Sequence, residues 1–386
     1  MALMGKPSSL KGQRIKFNGS PKHTIGVELE LSLIDRETRG LTPVAPKIFE
    51  VFPDHMHIKQ ELFQTIVEVT TGICDTVDDA RKDLTGTIEQ LRAVVDPLGV
   101  GLMCTGTHPF SHWSELPVTD KVRYQNLVHG MAWPARRLLI CGQHVHVGVP
   151  SGEHAIALMN SLSSFIPHLL ALSASSPYWL GLETGLASCR TKIFEGLPTA
   201  GLSPEVKNWN EFVTLMRTLL NAEAINSIQE IWWDIRPHPT FGTVEIRIFD
   251  GINTMDEVCA LTAMVQSLVA YLCELYDAGE DLPRLRGWTI RENKWRAARH
   301  GDEALLVRNE QGDQATCTEL LAETLEEIEP FAEKLGCKDD LANIANILVN
   351  RPSFHRQRKR VQAVGSLEGL VDGLLEEFET GEPMIS

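Results

Sequence analysis

Five short stretches of the chain alternate apolar and polar residues with a period of two, the mark of strands whose two faces differ. In "TIGVELELSL", Ile25, Val27, Leu29, Leu31 and Leu33 share one face, and Thr24, Gly26, Glu28, Glu30 and Ser32 the other. "QTIVEVT" sets Val67 and Val69 against Glu68 and Thr70, and "QHVHVGV" sets Val145, Val147 and Val149 against His144, His146 and Gly148. "WWDIR" opposes Trp233 and Ile235 to Trp232, Asp234 and Arg236. "TVEIRIFD" places Val244, Ile246 and Ile248 on an apolar face, with Thr243, Glu245, Arg247 and Phe249 opposite.

Helical spacing separates these strands. Residues 76–99 open on an acidic turn and stop at Pro97 and Gly99. Residues 121–150 read as a helix running into a strand, and 152–176 as a buried helix with a kink or break at Pro167. Further helices are expected over 205–224, 254–279 (opened by an N-cap threonine), 315–349 and 365–378. Residues 228–250 read as a hairpin, because a Pro/Gly turn joins two strand-like runs. The Ser/Gly/Pro-rich run 173–204 is too long for a connector and reads as a substrate-handling loop. No linker interrupts the order. The pattern predicts an α+β fold in one catalytic domain, 21–373, between a flexible polar arm (1–20) and an acidic tail (374–386).

Composition narrows the class. Hydrophobic residues make up 43% and charged residues 23%, as in globular proteins with a sizeable core. A net charge of −15 argues against a nucleic-acid partner. Without an apolar leader core or an 18-residue apolar run, neither secretion nor a membrane partner is expected, and the cytoplasm is the expected compartment. Eight cysteines without a CxxC pair read as reduced, buried thiols. The apolar, aromatic-bearing helices suit either a homodimer or one large monomeric core.

The polar strand faces carry the chemistry. Glu28, Glu30, Glu68 and Glu245 on these faces, with His144, His146 and Arg247 and no lysine, would repel one another without a cation. Oxygen ligands select Mg²⁺ or Mn²⁺, and Arg247 could meet a transferring phosphoryl group. No GxxxxGK[ST] or GxGxxG occurs, so phosphates would be held by metals and basic side chains, among them Lys294, Arg296 and Arg299 in "RENKWRAARHG". Arg190 is a candidate clamp for a carboxylate. One rival reading is a zinc-dependent hydrolase, with "HVH" as the metal pair and His108, His112 or His238 completing it. Another is a non-catalytic binder on the same fold.

Seven segments decide among these: "GVELELSLID", "VEVTTGIC", "GTHPF", "WPARRLLICGQHVHVGVP", "LALSASSPYWLGLETGLASCRTKIFEGLPTAGL", "WWDIRPHPTFGTVEIRIFD" and "ENKWRAARHG". In this order, over about residues 24–301, the chain resembles the glutamate–cysteine ligase type 2 family, the carboxylate–amine ligases of the glutamine-synthetase-like superfamily. The resemblance implies a curved, mainly antiparallel sheet, with helices on its convex face and ATP and Mg²⁺ on its concave face. It implies that Glu28, Glu30, Glu68, His146 and Glu245 are metal ligands, with Glu245 and Arg247 catalytic and Arg247 on the transferred phosphate. Lys294 and Arg299 would join Arg247 at ATP, and His144 and Glu61 would join Arg190 at the substrate. The implied reaction joins glutamate to an amine through an acyl phosphate, cysteine being the amine of a weak glutamate–cysteine ligase. One departure is visible: the family's first motif commonly has three consecutive acids, whereas "VELEL" puts Leu29, a core-facing residue by parity, in the middle.

Overall fold

The computed structural model describes residues 15–384. Its centre is a seven-stranded sheet. Numbering only the strands of that sheet, β1 is Ile25–Asp35, β2 Ile58–Gln60, β3 Ile66–Thr70, β4 Val100–Met103, β5 Gly142–Gly148, β6 Ile235–His238 and β7 Thr243–Asp250. The order is β6-β7-β5-β1-β3-β2, with β4 on the far end of β1, and each pair is antiparallel.

Parity assigns the faces as expected for most of the sheet. Val27, Leu29, Leu31, Val67, Val69, Val145, Val147, Val244 and Ile246 are all buried in one continuous core. Helices cover that face, foremost Met255–Ala278, whose Val258 carbonyl and Thr262 hydroxyl accept bonds from the core-facing Gln143 amide at 3.2 and 3.1 Å. Thr254 caps this helix by accepting from the Glu257 amide. Val77–Val95 ends as predicted, passing through a short 3₁₀ turn at Pro97 into Gly99 at φ 71°. At Pro167 the chain breaks into two helices, Gly152–Leu162 and Ile166–Ser173. The 152–173 and 255–278 stretches are apolar and long enough to cross a membrane, but 89% and 83% of them is buried within the protein. They are core helices.

Three expectations change. Phe249 is not on the site face. A β-bulge between Ile246 and Phe249 sets Arg247 and Ile248 together against His144, so Phe249 pairs with Gln143 and enters the core. The chain does not fray at residue 374: the Leu367–Thr380 helix runs through it, burying Leu374, Leu375 and Glu377. Glu377 accepts from Asn253 at 3.0 Å and pairs with the buried Arg356 at 2.9 Å. Residues 1–14 of the predicted arm lie outside the described residues, but 15–20 are docked. There Phe17 stacks edge-on to Trp209 at 5.4 Å, and the amides of Asn18 and Ser20 bond the carbonyls of Pro239 and Val149.

Candidate active site

Sheet register brings the polar residues of neighbouring strands face to face. Glu28 opposes His144, Glu30 opposes Glu68, Glu245 opposes both His146 and Arg236, and Lys59 opposes Glu68. Side chains paired this way start about 5 Å apart. Of these, Glu28, Glu30, Lys59, Glu68, His144 and Arg236 form one wall of a cavity of about 320 Å³, whose lining also includes Glu61, Arg123, Tyr124, Arg190 and Phe194.

Two ligand clusters lie at and beside this wall. In the first, atoms of Glu28, His146 and Glu245 lie within 4.8 Å of one another, and the second groups Glu30, Glu61 and Glu68 by the same measure. Their electrostatics differ. In the first, burial opposes ionisation of Glu28, but the hydrogen bond from His144 and the nearby imidazole of His146, 3.5 Å away, outweigh it and hold that carboxyl well below its usual range. Glu245 is also opposed by burial and held low by Arg236, Arg247 and His146. Arg236 forks onto it at 2.7 and 3.2 Å, and Arg247 donates to the same carboxylate. His146 is raised by Glu245 and Glu28 against its own burial, and its buried Nε2 has no hydrogen-bond partner. The second cluster has far less compensation. Burial, then Glu68 and Glu30, push Glu61 well above its ordinary value. Burial and Glu28 push Glu68 up to about 7, although Lys59 reaches it at 3.0 Å. Three converging carboxylates with one half-exposed ammonium between them fit a hard divalent cation, and an O,O,N set beside them fits a second.

The predicted residues separate on this geometry. Glu28, Glu30, Glu68, His146 and Glu245 come together, with Arg247 among them and His144 donating toward Glu28 at 3.0 Å. Glu61, expected at the substrate, instead completes the second carboxylate cluster. Arg190 lies in the Cys189–Phe194 helix, 3% exposed, on the cavity wall. Among the described residues no carboxylate lies within ion-pair distance of it, and its Nε has no partner. The nearby Asp250 is occupied by the Ser175 amide and the hydroxyls of Ser176 and Ser188, at 2.9, 2.6 and 2.8 Å.

Lys294 and Arg299 do not line the cavity. Lys294 is 2% exposed and clamped between Asp234 and Glu195, at 2.6 and 2.5 Å, and Arg299 donates to the Gly185 carbonyl. A buried cation held by two carboxylates has no free valence for phosphate, so the expected ATP role does not suit Lys294. Sequence reasoning missed Lys59, Arg123, Tyr124 and Phe194 as wall residues, and Lys59 breaks the expected absence of lysine from these faces. Its strand is only three residues long, too short to show a period. The zinc reading is not favoured, although His238 packs against His146 with ring centroids 5.6 Å apart. Neither ligand cluster holds two histidines. His108 is tied to the Arg39 carbonyl and the Ser111 amide, and His112 caps a turn.

The fold and site define a ligase that joins a carboxylate to an amine. The sequence pattern of glutamate-cysteine ligase family 2 (GCS2) matches residues 24–372, and the chain belongs to that family. It is 45% identical over 377 residues to a protein of Thermobifida fusca named as a glutamate–cysteine ligase 2, covering 96% of this chain and 94% of that one. A Frankia alni protein named as a glutamate–cysteine ligase 2-1 is 45% identical over 380 residues, covering 97% and 100%. Among solved structures, the Francisella tularensis glutamate–cysteine ligase in complex with AMP superposes with a TM-score of 0.67 at 13% identity, covering 95% of this chain and 90% of that one. The Pup ligase PafA superposes at 0.51 with 14% identity, covering 93% and 73%. The fold is thus shared with ligases, one of them solved with AMP bound.

Proposed function

We propose that this enzyme activates the side-chain carboxylate of glutamate with ATP and passes the acyl group to an amine, cysteine among the amines accepted. The observation that carries this is the pair of ligand clusters on one sheet face, with two arginines, the buried Arg190 and the partly buried Arg247, at the same cavity. Glu28, His146 and Glu245 would hold one Mg²⁺, and Glu30, Glu61 and Glu68 another. Bound there, the metal ions would neutralise the charge of the ATP phosphates.

The chain's own groups account for the rest. Carboxylate oxygen is a poor leaving group, so transfer of the γ-phosphoryl group to it, with ADP leaving, creates an acyl phosphate whose acyl carbon an amine nitrogen attacks, forming the C–N bond as the C–O bond breaks and inorganic phosphate leaves. Arg247 is partly buried and fixed by Glu245, which suits it to meet the phosphoryl group without reorganising. Arg190 is a buried cation lacking a carboxylate partner, which the α-carboxylate of glutamate would supply. His144 lines the cavity, and burial and Arg247 lower its pKa. With its Nδ1–H toward Glu28, its Nε2 has no protein partner and is suited to take the proton the amine releases on attack. The eight free, buried cysteines and the use of ATP suit a cytoplasmic setting.

The test is phosphate release from Mg·ATP by purified enzyme, with glutamate and single amines added. Release that requires both substrates supports the reading. ATP turnover in Glu245→Gln equal to wild type removes Glu245 from the machinery.

A further inference from the structure

Resting on the placement of the glutamate α-carboxylate at Arg190, we infer that Asp250 and Gly142, neither of which lines the cavity, are the positioning residues that set where the Arg190 guanidinium stands. Arg190 comes from the Cys189–Phe194 helix, outside the sheet that carries the ligand clusters. A clamp for one end of the substrate works only if it is held at a fixed distance from the groups that meet the other end. The paired ends of β7 and β5, where Asp250 lies opposite Gly142, supply that link.

Asp250 holds the backbone from which Arg190 springs. Its fully buried carboxylate takes the hydroxyl protons of Ser176 and Ser188 as well as the Ser175 amide. The Ser176 oxygen in turn accepts from the Arg190 amide at 3.1 Å, and the Ser188 oxygen accepts from the Thr191 amide at 3.3 Å, capping the helix. One carboxylate therefore ties both ends of the 177–187 excursion to the strand that also supplies Glu245 and Arg247. Burial pushes the Asp250 carboxyl up, and the Arg190 charge is the first influence to oppose that. Asp250 thus offsets the charge of Arg190 while its own hydrogen bonds go to the serines, which leaves the guanidinium to a substrate.

Gly142 sets the far end of the side chain. A Cβ there would stand 2.8 Å from the Arg190 Cζ and nearer still to its Nη2, so the guanidinium occupies space that any other residue would fill. The next atom, the Phe249 carbonyl oxygen at 3.0 Å, is less crowded, and the tip of a side chain yields before a backbone does. Gly142 is not among the glycines with positive φ, so backbone conformation does not call for glycine at this position. Its amide also donates to the Glu30 carboxylate at 2.6 Å. Gly142 thus touches both Arg190 and a carboxylate of the second cluster, and sets the clamp beside those ligands.

Glutamate binding, read by calorimetry with Mg²⁺ and a non-hydrolysable ATP analogue present, tests this. Asp250→Asn and Gly142→Ala should each weaken glutamate binding about tenfold, while affinity for the analogue stays within about twofold of wild type. In an Arg190→Met background each should change glutamate affinity by less than about twofold, because the group they position is gone. Gly142→Ala leaves the Asp250 network whole, so it carries the test if Asp250→Asn does not fold. Equal losses with and without Arg190, or an unchanged glutamate affinity in Gly142→Ala, overturn the inference and leave these residues a purely structural role. A wild type that binds no glutamate overturns it together with the placement it rests on. Amide formation, followed separately by mass spectrometry, reports on the ligase reading: the expected binding pattern without any amide product sustains the positioning role and removes the reaction.

Discussion

Glu61 and Glu68 show at the residue scale how function strains this fold. Beside Glu30, Glu61 is pushed toward protonation by burial, Glu68 and Glu30, and Glu68 by burial, Glu28 and Glu30. Neutralising one removes that repulsion, so Glu61→Gln should raise the melting temperature in metal-free buffer by roughly 2 °C, equivalent to about 1 kcal/mol. The same variant should lose ligation about 100-fold or more and lose the stabilisation that Mg²⁺ gives the wild type. A variant that melts lower than wild type without metal would show that the three carboxylates do not repel. Arg190 poses the opposite case, a buried cation without a carboxylate. Arg190→Met should raise the KM for glutamate about 10- to 100-fold, the worth of a charge-assisted hydrogen bond. Steady-state kinetics at saturating ATP would reveal it, and an unchanged KM would place the α-carboxylate elsewhere.

Among the elements, β7 supplies Glu245 and Arg247, and its bulge decides how. Period-two reading put Glu245 and Arg247 on the site face because the strand is regular as far as Ile246. It misplaced Phe249 because a bulge inserts a residue that no periodicity shows. At that bulge the Arg247 amide donates to the Asp234 carbonyl at 2.7 Å, and Asp234 is the residue that Lys294 clamps. The basic helix turn 291–301, legible as a cluster of cations, therefore supports the bulge from behind instead of meeting nucleotide. Burial of both groups is tertiary information: Lys294 and Asp234 are 60 residues apart. Lys294→Met should destabilise the protein by about 3–5 kcal/mol, since it leaves Asp234 buried without its counter-ion. In Lys294→Met/Asp234→Asn much of that loss should return, and the KM for ATP should stay within about twofold of wild type. Denaturant unfolding of both variants alongside ATP kinetics makes the distinction. A KM for ATP raised tenfold in the double variant would restore Lys294 to the nucleotide.

The molecule as a whole places two neutral histidines far from the chemistry, and they set how it meets acid. His108 and His168 are both buried, and burial pushes each down to about 4. His108 keeps one tautomer, Nε2–H donating to the Arg39 carbonyl at 2.9 Å while Nδ1 accepts from the Ser111 amide at 2.9 Å. His168 has neither ring nitrogen bonded and sits in a wholly buried helix. In the unfolded chain both titrate near 6.5. Between pH 6.5 and 4 the unfolded state thus binds more protons than the folded one, and stability must fall as pH falls through that window. Each histidine should cost about 2 kcal/mol on going from pH 7.5 to pH 5, from a shift of that size. Other groups titrate in the same range, some with the opposite sign, so the measurement is a difference between proteins. Urea unfolding at pH 7.5 and pH 5 should show His168→Leu losing about 2 kcal/mol less than wild type between the two conditions, whatever its absolute stability. An identical loss in both would mean that His168 takes up its proton in the folded state, which requires water or a carboxylate to reach it between helix Ile166–Ser173 and the sheet.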